Sequence, residues 1–305
     1  MANEYKIECL TNLKNTGGLS KCLVNAGKNR FFILVPDGTE FADSATVGTL
    51  SNWTTKIQAA KASRIFPLPP FFTYTPEKED DVFFAGDANE QAFVRDGYRN
   101  GSMAMYVHAT PCMIKALKSF NNQNWKAFAV TENGYIRGKS TDNTKFEGFK
   151  VFFHAGSLKE AGGDDPEQFP VEIYWKEPIE QYQALIKPSG FDPLTDLKGL
   201  INLDITDAGT EVPATTNPTI VLDIEQSCDA TPSTDLVLAD FKLTDPSGND
   251  DTSNISGVTA NGDGTYTVTF TALVTGDYII DLLAPASMTT TGYESAGALT
   301  FTVAS

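Results

Sequence analysis

The spacing of short alternating runs in the last ninety residues constrains this chain more than any other feature. Thr219-Ile220-Val221-Leu222-Asp223-Ile224 is followed by Leu236 to Leu243, Gly264 to Phe270, Asp277 to Leu282 and Ala298 to Val303. Each run is six to eight residues long, and turn-forming residues separate them. In Gly264-Thr265-Tyr266-Thr267-Val268-Thr269-Phe270 the apolar residues alternate with threonines, which puts one face in a core and the other in water. Asn261-Gly262-Asp263-Gly264 just before it is a turn signal, because asparagine and glycine tolerate positive φ. The spacing predicts a two-sheet sandwich over 215–305.

The run Asp263 to Phe270, followed by Thr275-Gly276-Asp277-Tyr278-Ile279-Ile280, resembles the E and F strands of bacterial and phage immunoglobulin-like domains. The resemblance covers about ninety residues and implies a fold without implying a ligand. Upstream, Ile201 to Pro218 is rich in Thr, Pro and Gly and poor in core residues after Ile205. It reads as a linker, assigned to 205–214, and leaves 1–204 as a separate β-rich domain. Two domains suit 305 residues.

Charge divides the chain at the same place. Residues 205–305 hold one basic residue, Lys242, against fourteen acids, a net of −13, and the other 204 residues carry −3 of the total −16. So acidic a module repels nucleic acid and anionic membranes, which excludes a DNA-binding role and favours a solvated, outward position. The start of the sequence has no basic stretch leading into an apolar one, and no run approaches the length of a membrane span, so cytosolic synthesis without a membrane partner is expected. Cys9, Cys22, Cys112 and Cys228 are scattered, and buried free thiols are the expectation.

Strands also dominate the first 204 residues: Tyr5 to Leu10, Phe31 to Val35, Met103 to Val107, Ala127 to Val130, Tyr135 to Gly138, Gly148 to Phe153 and Val171 to Trp175. Thr131-Glu132-Asn133-Gly134 marks a hairpin. Thr110 caps and Pro111 opens a helix with Met113, Ile114, Leu117 and Phe120 on one side, ending at Asn121-Asn122. Val47, Leu50, Trp53 and Ile57 have helical spacing and predict a second helix ending by Arg64. The fold class is therefore mainly β: a mixed N-terminal barrel or sandwich with one or two helices, then the C-terminal immunoglobulin-like sandwich. Pro67 to Pro76 is too rich in proline for a central strand and too apolar for a free loop. It is either a loop folded over its own barrel or, with Val82-Phe83-Phe84, an intersubunit contact through Pro69, Pro70, Phe71, Phe72, Tyr74, Phe83 and Phe84.

Catalytic signals are sparse. His108 and His154 both fall at strand ends, and no nucleophile elbow, P-loop or dinucleotide fingerprint is present. Glu77 to Asp81 and Asp164 to Glu167 read as solvated loops, and Gly97 to Gly101 as a turn. Asp245, Asn249, Asp250 and Asp251 offer oxygen donors for calcium but lack the spacing of an EF-hand. Tyr293 is the aromatic expected to be exposed for a sugar. No cofactor and no catalysis are expected.

A β domain of about 200 residues followed by an acidic immunoglobulin-like domain resembles the tail tube proteins of tailed bacteriophages. The features that carry the likeness are the helix Thr110 to Phe120, the hairpin Trp125 to Lys139, the strands Phe146 to Phe153 and Val171 to Trp175, and the polar connection Gly156 to Pro170. The resemblance implies a virion structural protein assembled in the host cytoplasm. Its subunits would form homo-oligomeric hexameric rings and contact other virion proteins, with DNA as passing, non-specific cargo and the terminal domain displayed outside. One departure is that tube lumens in that family tend to be acidic, whereas this N-terminal domain is nearly neutral. A head decoration or auxiliary capsid protein, and a cell-surface adhesin or carbohydrate-binding module, are the alternatives.

Overall fold

A computed structural model describes residues 3–5, 26–78, 82–84, 93–95, 100–107, 109–140, 145–164, 166–176, 183–208 and 218–304. The chain is mainly β and divides into two compact units, Met1–Lys198 and Gly199–Ser305.

The strands of the first unit are β1 (Asn3–Tyr5), β2 (Asn29–Pro36), β3 (Glu40–Phe41), β4 (Phe66–Pro67), β5 (Thr73–Lys78), β6 (Val82–Phe84), β7 (Phe93–Arg95), β8 (Asn100–Val107), β9 (Trp125–Thr131), β10 (Ile136–Lys139), β11 (Phe146–Glu147), β12 (Phe149–Ala155), β13 (Gln168–Trp175) and β14 (Gln183–Lys187). Every residue of β9 is buried, and that strand organises the unit. Along one edge it pairs with β2 from Asn29↔Thr131 to Pro36↔Trp125. Its other edge is shared: β12 takes Trp125 to Ala127, and β10 takes Ala129 and Val130. One branch continues as β12-β13-β8-β5, the other as β10-β14-β1.

The proline-rich segment closes the first branch on itself. Leu68 and Phe71 donate backbone N–H bonds to Phe32 and Arg30 of β2, and Phe72 donates to Met105 of β8. Prolines suit this place because a strand crossing between two partners has fewer ladder bonds to supply. Inside the closed sheet, Phe32 lies against Phe71, Tyr74 and Trp175 at ring-centroid distances of 5.4, 6.0 and 5.8 Å. On the opposite face of β9, Trp53 packs at 4.4 Å from Phe41 and 5.3 Å from Phe128. Trp53 comes from the helix Leu50–Ile57, which follows a short turn of helix at Ser44–Val47, and its Nε1–H reaches the Val47 carbonyl at 2.8 Å. Phe128 stacks on Phe146, and Gly138 is glycine because a Cβ there would stand 2.6 Å from the Phe146 ring. The Thr110-capped helix forms as expected over Pro111–Lys118, the cap accepting from Met113 N–H.

The second unit has β15 (Ile201–Asp207), β16 (Thr219–Gln226), β17 (Phe241–Thr244), β18 (Ile255–Ala260), β19 (Thr265–Phe270), β20 (Gly276–Leu282), β21 (Tyr293–Gly297) and β22 (Leu299–Val303). Five strands in the order β18-β19-β16-β15-β21 face three in the order β17-β20-β22. Leu222, Ile224, Tyr266 and Val268 of the first sheet and Phe241, Leu243, Tyr278, Ile280 and Val303 of the second form one core. Val274 N–H donates to the Tyr278 hydroxyl at 3.1 Å, the tyrosine corner that fixes the turn into strand F of immunoglobulin-like sandwiches.

Three sequence expectations change here. The boundary lies at Lys198/Gly199 and not at Asp204, because Leu203 and Ile205 are buried and make β15 a sandwich strand. The proposed linker begins inside that strand, and 209–217 lie outside the described residues. Leu236 to Asp240 is not strand: Asp240 accepts the Val237 N–H and turns Leu238–Asp240 into a 3-10 helix.

Candidate functional site

The apolar segment read as a contact separates into two sides. Phe71 is 1% exposed and packs within its own barrel, and Tyr74 is half-buried with its hydroxyl on Asn29 Nδ2 and Ser102 Oγ. Phe71 is a core residue and the Tyr74 hydroxyl is bonded inward, so both are withdrawn as interface residues. Pro69 and Pro70 are exposed, and Phe72 is 76% exposed. Phe83 and Phe84 belong to β6, paired with β7, and their side chains lie outside the described residues. Phe71 and Phe72, neighbours in an extended chain, point to opposite faces.

On the outer face of the sheet, Phe152 is 39% exposed and faces Tyr174 across β13 in register, with their rings 6.3 Å apart. Met103 and Met105 of β8, both half-buried, sit on that face beside β5. Helix Leu50–Ile57 covers the sheet at Phe128, whereas this β12-β13-β8-β5 face carries its apolar side chains to the surface. An exposed Phe152 beside half-buried Tyr174, Met103 and Met105 on a sheet face is suited to contact with another protein. The connection between β12 and β13 folds back on itself at its base, through Gly156 N–H to the Pro170 carbonyl and a Lys159–Gln168 bridge.

The calcium candidates are not brought together as ligands. Asp245 Oδ1 accepts the N–H groups of Ser247 and Asn249, and Asp250 Oδ1 that of Thr252. Asp251 holds the Asn254 side-chain amide. The Asn249 backbone and side-chain bonds hold the Asp245 carboxyl below its ordinary value. Among the described residues no three His, Cys, Asp or Glu side chains converge on a point. His154 is exposed on β12 opposite Glu172, while His108, Cys9 and Cys22 lie outside the described residues, as do parts of the Glu77–Asp81, Gly97–Gly101 and Asp164–Glu167 loops. Tyr293, expected to be exposed, is half-buried with its hydroxyl on Asp235.

Three features had no sequence signal. Asp240 is fully buried and accepts four hydrogen bonds, from Val237 N–H, Thr289 N–H, Thr290 N–H and the Thr290 hydroxyl. Burial alone would raise its pKa, but the Thr290 and backbone donors outweigh it and hold the carboxyl below its ordinary value. Lys126, on β9, reaches Glu147 at 2.6 Å and Asp37 at 3.2 Å. Finally, Cys112 and Cys228 are both disulfide-bonded, which overturns the expectation of free thiols. Scattered cysteines give no pairing signal in a sequence of this length.

No family model matches the sequence, and no curated protein matches it. Among solved structures, the Escherichia coli adhesin FdeC is similar at 15% identity and a TM-score of 0.23, over 66% of this chain and 62% of that one. The chain thus spans less than two thirds of that neighbour's length.

Proposed function

We propose that this chain is a structural subunit of a repeated assembly, a tail tube subunit of a tailed bacteriophage. In this reading the N-terminal unit makes the contacts between copies and the immunoglobulin-like unit is carried outside. The observation that carries it is the outer β12-β13-β8-β5 face, where Phe152, Tyr174, Met103 and Met105 lie on one side of the sheet, with Phe72 exposed just before β5. A monomer exposing such a face risks non-specific association, and a ring or tube buries it. The acidity of the second unit supports an outward position, since copies held side by side repel less when their like charges face solvent. The partners in this reading are further copies of the chain and other virion proteins, with DNA passing through as cargo. Negative-stain microscopy of the purified chain tests it: rings or hollow polymers are expected, and a monomer at every concentration and salt contradicts it.

A second reading, a surface adhesin, is favoured by one observation. Both described cysteines are in disulfides, and such bonds persist in oxidising surroundings outside the cytosol. Alkylation of the protein taken directly from its source separates the two. Thiols blocked before oxidation in air favour the cytosolic assembly, and intact disulfides favour the exported one.

A further inference from the structure

We propose that the N-terminal unit carries a saccharide-binding cleft between the Thr131–Tyr135 hairpin turn and the segment 188–194. The cleft is open and holds about 560 Å³, within the size of small-ligand sites, roughly 300–1,000 Å³. Tyr135 and Phe191 supply its aromatic surface, and Glu132, Asn133, Lys187 and Asp192 its polar lining.

Both walls are held by the backbone. Gly134, at φ +75°, donates its N–H to the Thr131 carbonyl, and Tyr135 N–H bonds the Thr131 hydroxyl, so the ring leaves a fixed turn. Opposite, Asp192 Oδ1 accepts the Leu194 N–H, and its own N–H is held by Asp196. The two walls meet at Gly134, where a Cβ would lie 3.8 Å from Asp192 Oδ1 and 3.9 Å from Pro193.

The chemistry of the lining selects the ligand class by exclusion. Lys187, 5.2 Å from the Tyr135 ring centroid, sets a positive charge on the same lining as the carboxylates of Glu132 and Asp192, so a ligand of either sign meets a like charge as well as an opposite one. A wholly apolar ligand would strip water from four polar side chains without replacing their hydrogen bonds. A neutral polyhydroxylated ring suits all six residues, laying its C–H face on an aromatic side chain and its hydroxyls against both donors and acceptors. This cleft, and not Tyr293, is where the aromatic and polar groups for a sugar come together. The inference does not depend on how copies of the chain assemble.

An array of neutral and charged oligosaccharides, probed with the full chain and followed by calorimetric titration of any hit, tests the cleft. Binding of a neutral glycan with a Kd in the millimolar range, on the order of −4 kcal/mol, is expected. Tyr135→Ala and Phe191→Ser should each weaken it at least about tenfold. Asp192→Asn keeps the Leu194 bond, since asparagine caps as well as aspartate, and should weaken binding several-fold with an unchanged melting temperature. No neutral glycan bound, binding of charged glycans alone, or neutral binding that survives both Tyr135→Ala and Asp192→Asn would each overturn the proposal.

Discussion

The N-terminal unit stacks aromatic rings on both sides of β9, with Phe32, Phe71 and Trp175 inside the closed sheet and Phe41, Trp53, Phe128 and Phe146 beneath the helix. The immunoglobulin-like unit instead fills its core mainly with Leu, Ile and Val, and keeps Tyr266 and Tyr278 where their hydroxyls can reach backbone groups. Their surfaces diverge further. The first unit is nearly neutral and leaves Phe72 and Phe152 exposed, while the second is strongly acidic. The difference teaches that one chain can combine a surface suited to burial against another protein with a surface that stays in water. A single charge or hydropathy average over 305 residues hides both.

Substitutions can break the comparison unit by unit. The largest effect is expected at Trp53, which is fully buried against two rings and the Val47 carbonyl. Trp53→Ala should cost about 3–5 kcal/mol and lower the melting transition of the N-terminal unit, leaving that of the second unit in place, as followed by calorimetry. Next comes Asp240→Asn, which removes the charge from four hydrogen bonds and should cost the second unit about 2–3 kcal/mol.

That residue also gives the second unit a pH signature. Because the folded pKa of Asp240 is depressed, its contribution is fully present above the unfolded value near pH ~4 and is lost as pH falls through the folded value. Acid titration should therefore destabilise the second unit below about pH 4, and Asp240→Asn should flatten that slope. An unchanged slope would remove Asp240 as its source. A smaller effect is expected at the tyrosine corner. Tyr278→Phe should cost about 1 kcal/mol in the second unit alone, measured by denaturant unfolding.

Much of this fold was legible because alternation is a strong local signal: Tyr266, Val268 and Phe270 point inward, as their spacing with threonine required. The same signal was weak at Ile201 to Asp207, where two buried residues stand among Asn, Asp and Thr, so a sandwich strand looked like a linker. Leu236 to Asp240 failed for the opposite reason. Its apolar run suggests a strand, and a long-range carboxylate bond to residues near 290 decides otherwise. At the candidate contact face, local pattern could mark Pro69 to Tyr74 as unusual but could not say which of Phe71 and Phe72 faces inward. That depends on β2 and β8, whose pairing is distant in sequence. The cleft beside Tyr135 was equally hidden, since Phe191 and Asp192 meet the hairpin only after folding.

If the N-terminal unit joins copies of the chain through its outer β12-β13-β8-β5 face, light scattering of the full chain will show it. The native chain is predicted to have a mass of several subunits, and the double substitution Phe72→Glu and Phe152→Glu is predicted to give the monomer mass. Both positions are exposed, so the substitutions should change stability by no more than about 0.5 kcal/mol. A native chain that is monomeric, or a double variant that assembles as the native chain does, would contradict the account.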